Sequence, residues 1–210
     1  MMKVYIDYDT TLINLIDPWI EWINKKYNVI ITSNDINRWY FLGEVFGKEA
    51  DDFWRHSKYN HYADKNILKP YNGAVDFFLT LQKQFGEENV IIISSTRDHH
   101  TKEKIEHAQF YFGINKEQFI PVNKEKYSFT KDGILIDDYP LHVMEHVQHN
   151  KQKGIVFNYE NRFGWCKQSN YVVDRTLSDF IDVVKNDKFS IATSYQEILE
   201  ELNYEQNYRE

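Results

Sequence analysis

Two stretches of the sequence bring carboxylates together where an apolar run stops. Asp7-Tyr8-Asp9-Thr10-Thr11 follows Lys3 to Ile6, and Asp137-Asp138 follows Ile134-Leu135-Ile136. A D-x-D-x-T arrangement at a strand end can turn two carboxylates toward one ligand. Asp7 then suits a nucleophile on phosphorus that forms an aspartyl-phosphate. Asp9 suits an acid and base that protonates the leaving alkoxide and later deprotonates water. The plain alternative is a turn capped by acidic residues, and the motif alone does not decide between them. The second pair adds weight, because buried neighbouring carboxylates are costly without a cation. A magnesium ion removes that cost, and Asp7, the Asp9 main-chain carbonyl, Asp137 and waters supply the hard oxygen ligands it prefers.

Between these pairs lie groups suited to phosphate. Val90 to Ile93 ends in Ser94-Ser95-Thr96. Ser94 is the first candidate to hold a phosphoryl group, while Ser95 and Thr96 serve equally as ligands or as caps of the next helix. Lys124 and Lys126 precede the Ile134 strand, and either can neutralise a phosphoryl oxygen and the Asp7 charge. His142, His146 and His149 recur at near-helical spacing but lack an H-E-x-x-H pattern, and read as an exposed helix face.

The elements that must position these residues alternate. Apolar runs at 3–7, 90–93, 119–122, 134–136 and 155–157 are short and rich in β-branched residues, as in a covered parallel sheet. Helical spacing fills the gaps: Val75, Phe78, Leu79 and Leu81 before Gly86, and Ile105, Ala108 and Phe112 before Gly113. The pattern predicts an α/β fold with a Rossmann-like, doubly wound parallel sheet. Residues 14–69 break the rhythm with helix-like, aromatic-rich sequence and one weak strand candidate at Val29 to Ile31. They predict an inserted helical cap, with Asp17-Pro18 opening its first helix. Ser194 and Glu197 form a capping-box pattern for a terminal helix. The expected division is a catalytic core of 1–13 and 70–186, a cap of 14–69 and a C-terminal helical tail of 187–210. Trp39, Tyr40, Phe41 and Trp54 of the insertion are either its core or stacking partners for a nucleobase.

The order acidic pair, hydroxyl, lysine, acidic pair resembles the haloacid dehalogenase (HAD) superfamily. In a two-component receiver domain the lysine follows the final strand and the last acidic pair is absent. Within the superfamily the chain looks like the 5′(3′)-deoxyribonucleotidase family over about Lys3 to Val184. The small helical insertion after the first motif, Lys69-Pro70-Tyr71-Asn72-Gly73-Ala74, Leu135 to Pro140, and Phe157-Asn158-Tyr159-Glu160-Asn161-Arg162 carry the resemblance. It implies a magnesium-dependent phosphatase with Asp7 as nucleophile, Asp9 as acid and base, Ser94 as phosphate ligand, Lys126 as the motif cation, Asp137 as metal ligand and Asp138 acting through water. The implied substrate is a deoxyribonucleoside monophosphate. Another small phosphate ester, or a silent nucleotide- or partner-binding fold, are the rivals. Thr10 departs from the family, which usually has a small residue there, often glycine, and Ser94-Ser95-Thr96-Arg97 replaces a common threonine-serine-proline.

Bulk properties narrow the partners. With 25 basic against 32 acidic residues the net charge is -7, which disfavours a nucleic acid polymer. One cysteine, Cys166, excludes an internal disulfide and multi-cysteine metal sites and points to a reducing compartment, so a cytoplasmic protein is expected. No secretory leader or membrane span is legible. A small phosphate ester is the expected partner, and a homodimer is admissible.

Overall fold

The computed structural model describes residues 2–55, 61–123, 125–171, 177 and 180–207, without the side chains of 54, 55, 206 and 207. Six strands, β1 (Lys3–Ile6), β2 (Val90–Ser95), β3 (Phe119–Val122), β4 (Gly133–Asp137), β5 (Gly154–Phe157) and β6 (Phe189–Ala192), form one parallel sheet. Their order is β3-β2-β1-β4-β5-β6. The chain thus winds outward from β1 in one direction and from β4 in the other. In such sheets the crevice for ligands opens beyond the carboxyl ends at that reversal. Registers Ile6–Ile92 and Ile6–Ile136 bring the ends of β1, β2 and β4 level. The first two acidic motifs and the serine pair therefore meet because their strands do.

The eight helices among the described residues are α1 (Ile16–Tyr27), α2 (Phe41–Phe46), α3 (Asp52–Arg55), α4 (Ala74–Phe85), α5 (Asp98–Phe112), α6 (Pro140–Asn150), α7 (Gln168–Tyr171) and α8 (Tyr195–Asn207). α4 packs on β2, α5 and α8, while α6 covers β4 and β5. Val4, Ile6, Ile92, Ile134, Ile136, Ile155 and Val156 are buried, which is what strands covered on both faces require. None of the described helices is long and apolar enough to cross a membrane.

Several sequence patterns meet a different outcome. Val29 to Ile31 is irregular, because Asn24 takes both polar groups of the Ile31 backbone, each at 2.9 Å, and leaves no ladder to join. α1 begins at Ile16, before the Asp17-Pro18 pair, and the Asn14 side chain accepts from the Asp17 N–H at 3.1 Å. On α4 the buried face is Ala74, Phe77, Phe78, Leu81 and Phe85, and Leu79 faces solvent. β6 is a strand that short, mixed sequence hid; it pairs with β5 and leads into α8, whose Glu197 N–H donates to Ser194 Oγ at 3.2 Å. The histidines of α6 do not share an exposed face: His146 is buried between Thr130 Oγ1 at 2.8 Å and the Lys153 carbonyl at 3.1 Å, and His149 stacks on Tyr127.

Residues 14–69 leave and re-enter the core at one point. Ile13 bridges Pro70, and the Asn14 N–H donates to the Lys69 carbonyl at 2.9 Å. Within the segment, Trp22 packs on Phe53, Tyr27 on Phe46, and Trp19 Nε1 donates to the Ala50 carbonyl at 2.7 Å. Contacts that tie the segment back to the core include an ion pair of Asp17 with Arg162, the Trp39 ring stacked at 4.3 Å on Tyr139, and Gly164 against Ile36. At Gly164 a Cβ would lie 2.4 Å from the Ile36 carbonyl oxygen and 2.8 Å from Asn37 Cα. Only glycine allows two backbones that close. Gly164→Ala should therefore cost about 1–3 kcal/mol, the usual range for overpacking, and lower the Tm measured by thermal melting. An unchanged Tm would mean that the segment can move off the core freely.

Candidate active site

Asp7 sits one residue past β1, with its N–H donated to the Ile136 carbonyl at 2.8 Å. The chain then turns tightly. The Leu12 and Ile13 N–H groups both return to the Tyr8 carbonyl, and the Thr10 N–H donates to the Ile13 carbonyl at 2.8 Å. Thr10 pays for this turn with φ at 62°, a left-handed conformation that a β-branched residue rarely adopts. That strain explains why glycine suits the position. Tyr8 points the other way, into the core, and bonds His107 Nδ1 at 2.5 Å.

Asp7, Asp137 and Asp138 are all buried, and one carboxylate oxygen from each lies within 4.8 Å of the others. The Lys126 ammonium stands between two of them, 2.5 Å from Asp7 Oδ1 and 2.6 Å from Asp137 Oδ2. Asp137 also accepts from the Tyr139 N–H at 2.9 Å and contacts His142 Nδ1 at 3.1 Å. Asp138 Oδ2 is buried without any hydrogen-bond partner. An orphaned carboxylate oxygen beside two more carboxylates fits a hard divalent cation.

The titration of these groups follows from their surroundings. Burial pushes Asp7 up to about 7 against the pull of Lys126, with Asp137 and Asp9 adding repulsion. Burial and the charges of Asp137 and Asp7 push Asp138 well above the carboxylate range. Burial opposes ionisation of Asp137 too, yet Lys126 and His142 hold it below its ordinary value. Lys126 stays protonated, because the two aspartates outweigh the burial that would strip its proton.

A second buried ammonium serves the other carboxylate. Lys104 Nζ lies 2.5 Å from Asp9 Oδ2, 3.0 Å from Ser94 Oγ and 2.9 Å from the Ser95 carbonyl. Tyr62, from the inserted segment, donates to Asp9 Oδ1 at 2.8 Å. Both residues escape motif reasoning. Lys104 carries a signal nonetheless: with His100, Ala108 and Phe112 it occupies the buried stripe of α5 at four-residue spacing, where a lysine needs a partner. Tyr62 has no such signal, since it lies in no regular element.

These groups open into a cavity of about 550 Å³. Asp7, Asp9, Ser94, Ser95, Lys126, Asp137 and Asp138 line it, so the carboxylates, hydroxyls and lysine singled out by spacing are brought together. Trp39 and Tyr40 line it as well, although one face of Trp39 is already covered by Tyr139 and Trp165 meets its edge. Phe41 does not border the cavity and lies under the Arg38 guanidinium, 5.5 Å away. Lys124 and the Trp54 side chain lie outside the described residues.

A protein-family model described as "5' nucleotidase, deoxy (Pyrimidine), cytosolic type C protein" matches residues 1–169. No curated protein matches the chain in sequence. Among solved structures, the fold is shared with a HAD family hydrolase from Deinococcus radiodurans R1 crystallised with phosphate and sodium, at TM-score 0.61 and 11% identity over 93% of this chain and 92% of that one. It is shared also with a haloacid dehalogenase-like protein of Agrobacterium tumefaciens C58, at TM-score 0.57 and 12% identity over 98% and 100% of the two chains. A predicted phosphoglycolate phosphatase from Haemophilus somnus 129PT aligns at TM-score 0.51 and 12% identity over 95% and 97%.

The crowded carboxylates make stability depend on pH. Asp7 and Asp138 have folded values above their ordinary ones, so their contribution is full at low pH and is lost as pH rises, for Asp7 through about 7. His107 and His146, which burial pushes down to about 4, act oppositely, but only below their ordinary value of about 6.5. Without divalent cations, Tm should therefore rise as pH falls from about 8 to about 6.5, and Asp7→Asn should flatten that slope. A wild-type Tm that falls over this window would refute the charge assignment.

Proposed function

The chain belongs to the 5′-nucleotidase, deoxy (pyrimidine), cytosolic type C family and is a phosphoric monoester hydrolase, and on that premise we propose that it dephosphorylates deoxyribonucleoside monophosphates through an aspartyl-phosphate on Asp7. The convergence of Asp7, Asp137 and Asp138 at the head of an open cavity carries this reading. Asp7 Oδ1 is taken by Lys126, which leaves Oδ2 to attack phosphorus. The bond from phosphorus to the ester oxygen breaks, its electron pair goes to the alcohol oxygen, and Asp9 supplies the proton. Water then attacks the phosphorus of the aspartyl-phosphate and gives its proton to Asp9. The bond to Asp7 breaks, and inorganic phosphate leaves. Ser94 Oγ and the Lys126 ammonium hold the phosphoryl oxygens.

Asp7, Asp137 and Asp138 would hold a magnesium ion, with the Asp9 carbonyl as a further ligand; when bound, it supplies positive charge to the phosphoryl oxygens and relieves the repulsion among the three carboxylates. Lys104 and Tyr62 both contact the Asp9 carboxylate, which faces the cavity where it is to take the proton from water. To deliver a proton to the leaving group, one of those contacts must open. Tyr62 belongs to residues 14–69, the segment we assign as the cap over a core of 1–13 and 70–186, to whose sheet 187–210 adds β6 ahead of its terminal helix. Water exclusion by that segment, with Trp39 and Tyr40 on the cavity wall, favours a substrate carrying a planar base. We assign the reaction to the cytoplasm, since the only cysteine, Cys166, is a buried free thiol.

Asp7→Asn should abolish phosphate release from deoxynucleotides while the Tm is retained or raised. Asp9→Asn should still form acyl phosphate from an activated ester, and hydrolyse it slowly, in a rapid-quench assay. Identical behaviour of the two variants there would end the division of roles. Magnesium should raise the Tm of the wild type, and that gain should vanish in Asp137→Asn. An equal gain in both would move the metal site elsewhere.

A further inference from the structure

Two rings in the cavity wall carry buried nitrogens without a hydrogen-bond partner, Trp165 through Nε1 and His100 through both of its nitrogens, and His100 leaves the more unmet. His100, in the first turn of α5, is 3% exposed and lines the cavity, and neither of its ring nitrogens has a hydrogen-bond partner. Its ring neighbours are Tyr62 and His99, which offer ring edges and faces, not polar contacts. Leaving two buried nitrogens unbonded costs stability, so such a group in a native fold calls for an explanation. A ligand in the cavity supplies one.

Position identifies which part of the ligand. His100 and Lys104 are four residues apart on α5 and share its face, about 6 Å apart along the axis. Lys104 reaches Asp9 and Ser94, so its level is that of the phosphoryl group and the ester oxygen. Arg97, at the start of the same helix, borders the cavity and is exposed. His100 thus lies between the reacting ester and the mouth, at the level of the alcohol that the ester bond releases. The aromatic rings Trp39 and Tyr40 come from the inserted segment on another wall. Burial holds the imidazole below its ordinary value, hence neutral, with one N–H donor and one acceptor nitrogen. A hydroxyl, itself donor and acceptor, can meet either nitrogen, whichever faces the cavity; a phosphate, acceptor only, can meet just the N–H.

We propose that His100 is a specificity-determining residue that binds a hydroxyl of the leaving alcohol, on a nucleotide the sugar hydroxyl nearest the ester. This rests on the nucleotidase reading above. The residue makes no contact with the reacting atoms and sets which alcohols are favoured.

The test compares a deoxynucleoside 5′-monophosphate with its 2′,3′-dideoxy counterpart, using wild type, His100→Phe and His100→Asn, with p-nitrophenyl phosphate as a control for phosphatase chemistry. Wild type should favour the hydroxyl-bearing nucleotide about tenfold in kcat/KM, the weight of one hydrogen bond with its buried partner left unmet. His100→Phe should lose the preference, chiefly through KM, and its Tm should equal or exceed that of wild type, since an unmet polar ring is replaced by an apolar one. His100→Asn, which keeps a donor and an acceptor, should recover part of the preference. A wild type indifferent to the hydroxyl, or a His100→Phe enzyme that retains the full preference, overturns the inference and leaves the nucleotidase reading intact. A wild type that hydrolyses p-nitrophenyl phosphate but neither nucleotide overturns both.

Discussion

Three carboxylates converge where β1 and β4 end side by side, and one buried ammonium, Lys126, stands among them. Removing charges from water is expensive, and the attraction between Lys126 and its two aspartates offsets that expense only because the contacts are short and the remaining lone pairs are engaged. Asp137 meets this condition through the Tyr139 N–H and His142. Asp138 does not, and its unpartnered oxygen marks the place where positive charge is still missing. In the proposed mechanism this acidic end of the sheet is where a cation and the phosphoryl group would meet.

The same logic governs the opposite side of the cavity. Lys104 compensates Asp9 as Lys126 compensates Asp7, so each carboxylate of the first motif has its own lysine. The two lysines come from different elements: Lys104 from the face of α5, Lys126 from the turn that precedes β4. Two carboxylates two residues apart in the chain are thus held by cations from separate elements.

The inserted segment is coupled to this chemistry through Tyr62. Its hydroxyl rests on Asp9, while Asp17 pairs with Arg162, Trp39 stacks on Tyr139, and Gly164 admits the Ile36 backbone. All four contacts cross from the segment to the catalytic half. The exit and return of the chain at Ile13 and Pro70 form a narrow neck, so movement of the segment would be felt first at these contacts. In the proposed mechanism Tyr62 and Asp9 are the pair through which substrate entry and proton delivery would be linked.

The local sequence determined the parallel strands, the ends at which their acidic and hydroxyl residues lie, and hence the phosphatase chemistry, because short, continuously apolar β-branched runs are encoded by neighbours in the chain. Asp7, Ser94 and Asp137 were legible for that reason. Lys104 and His100 were not, because a helix face acquires chemical meaning only when another element is laid against it. β6 was hidden by its short, half-buried sequence, and His146 of α6 was misjudged, while His149 is exposed as expected, because burial depends on β4 and β5 beneath the helix. The tertiary structure alone decided which lysine meets which carboxylate, that Tyr62 closes on Asp9, and that Asp138 and His100 are left wanting partners. These are distances between residues up to 119 positions apart in the chain, as for Asp7 and Lys126, and no local pattern carries them.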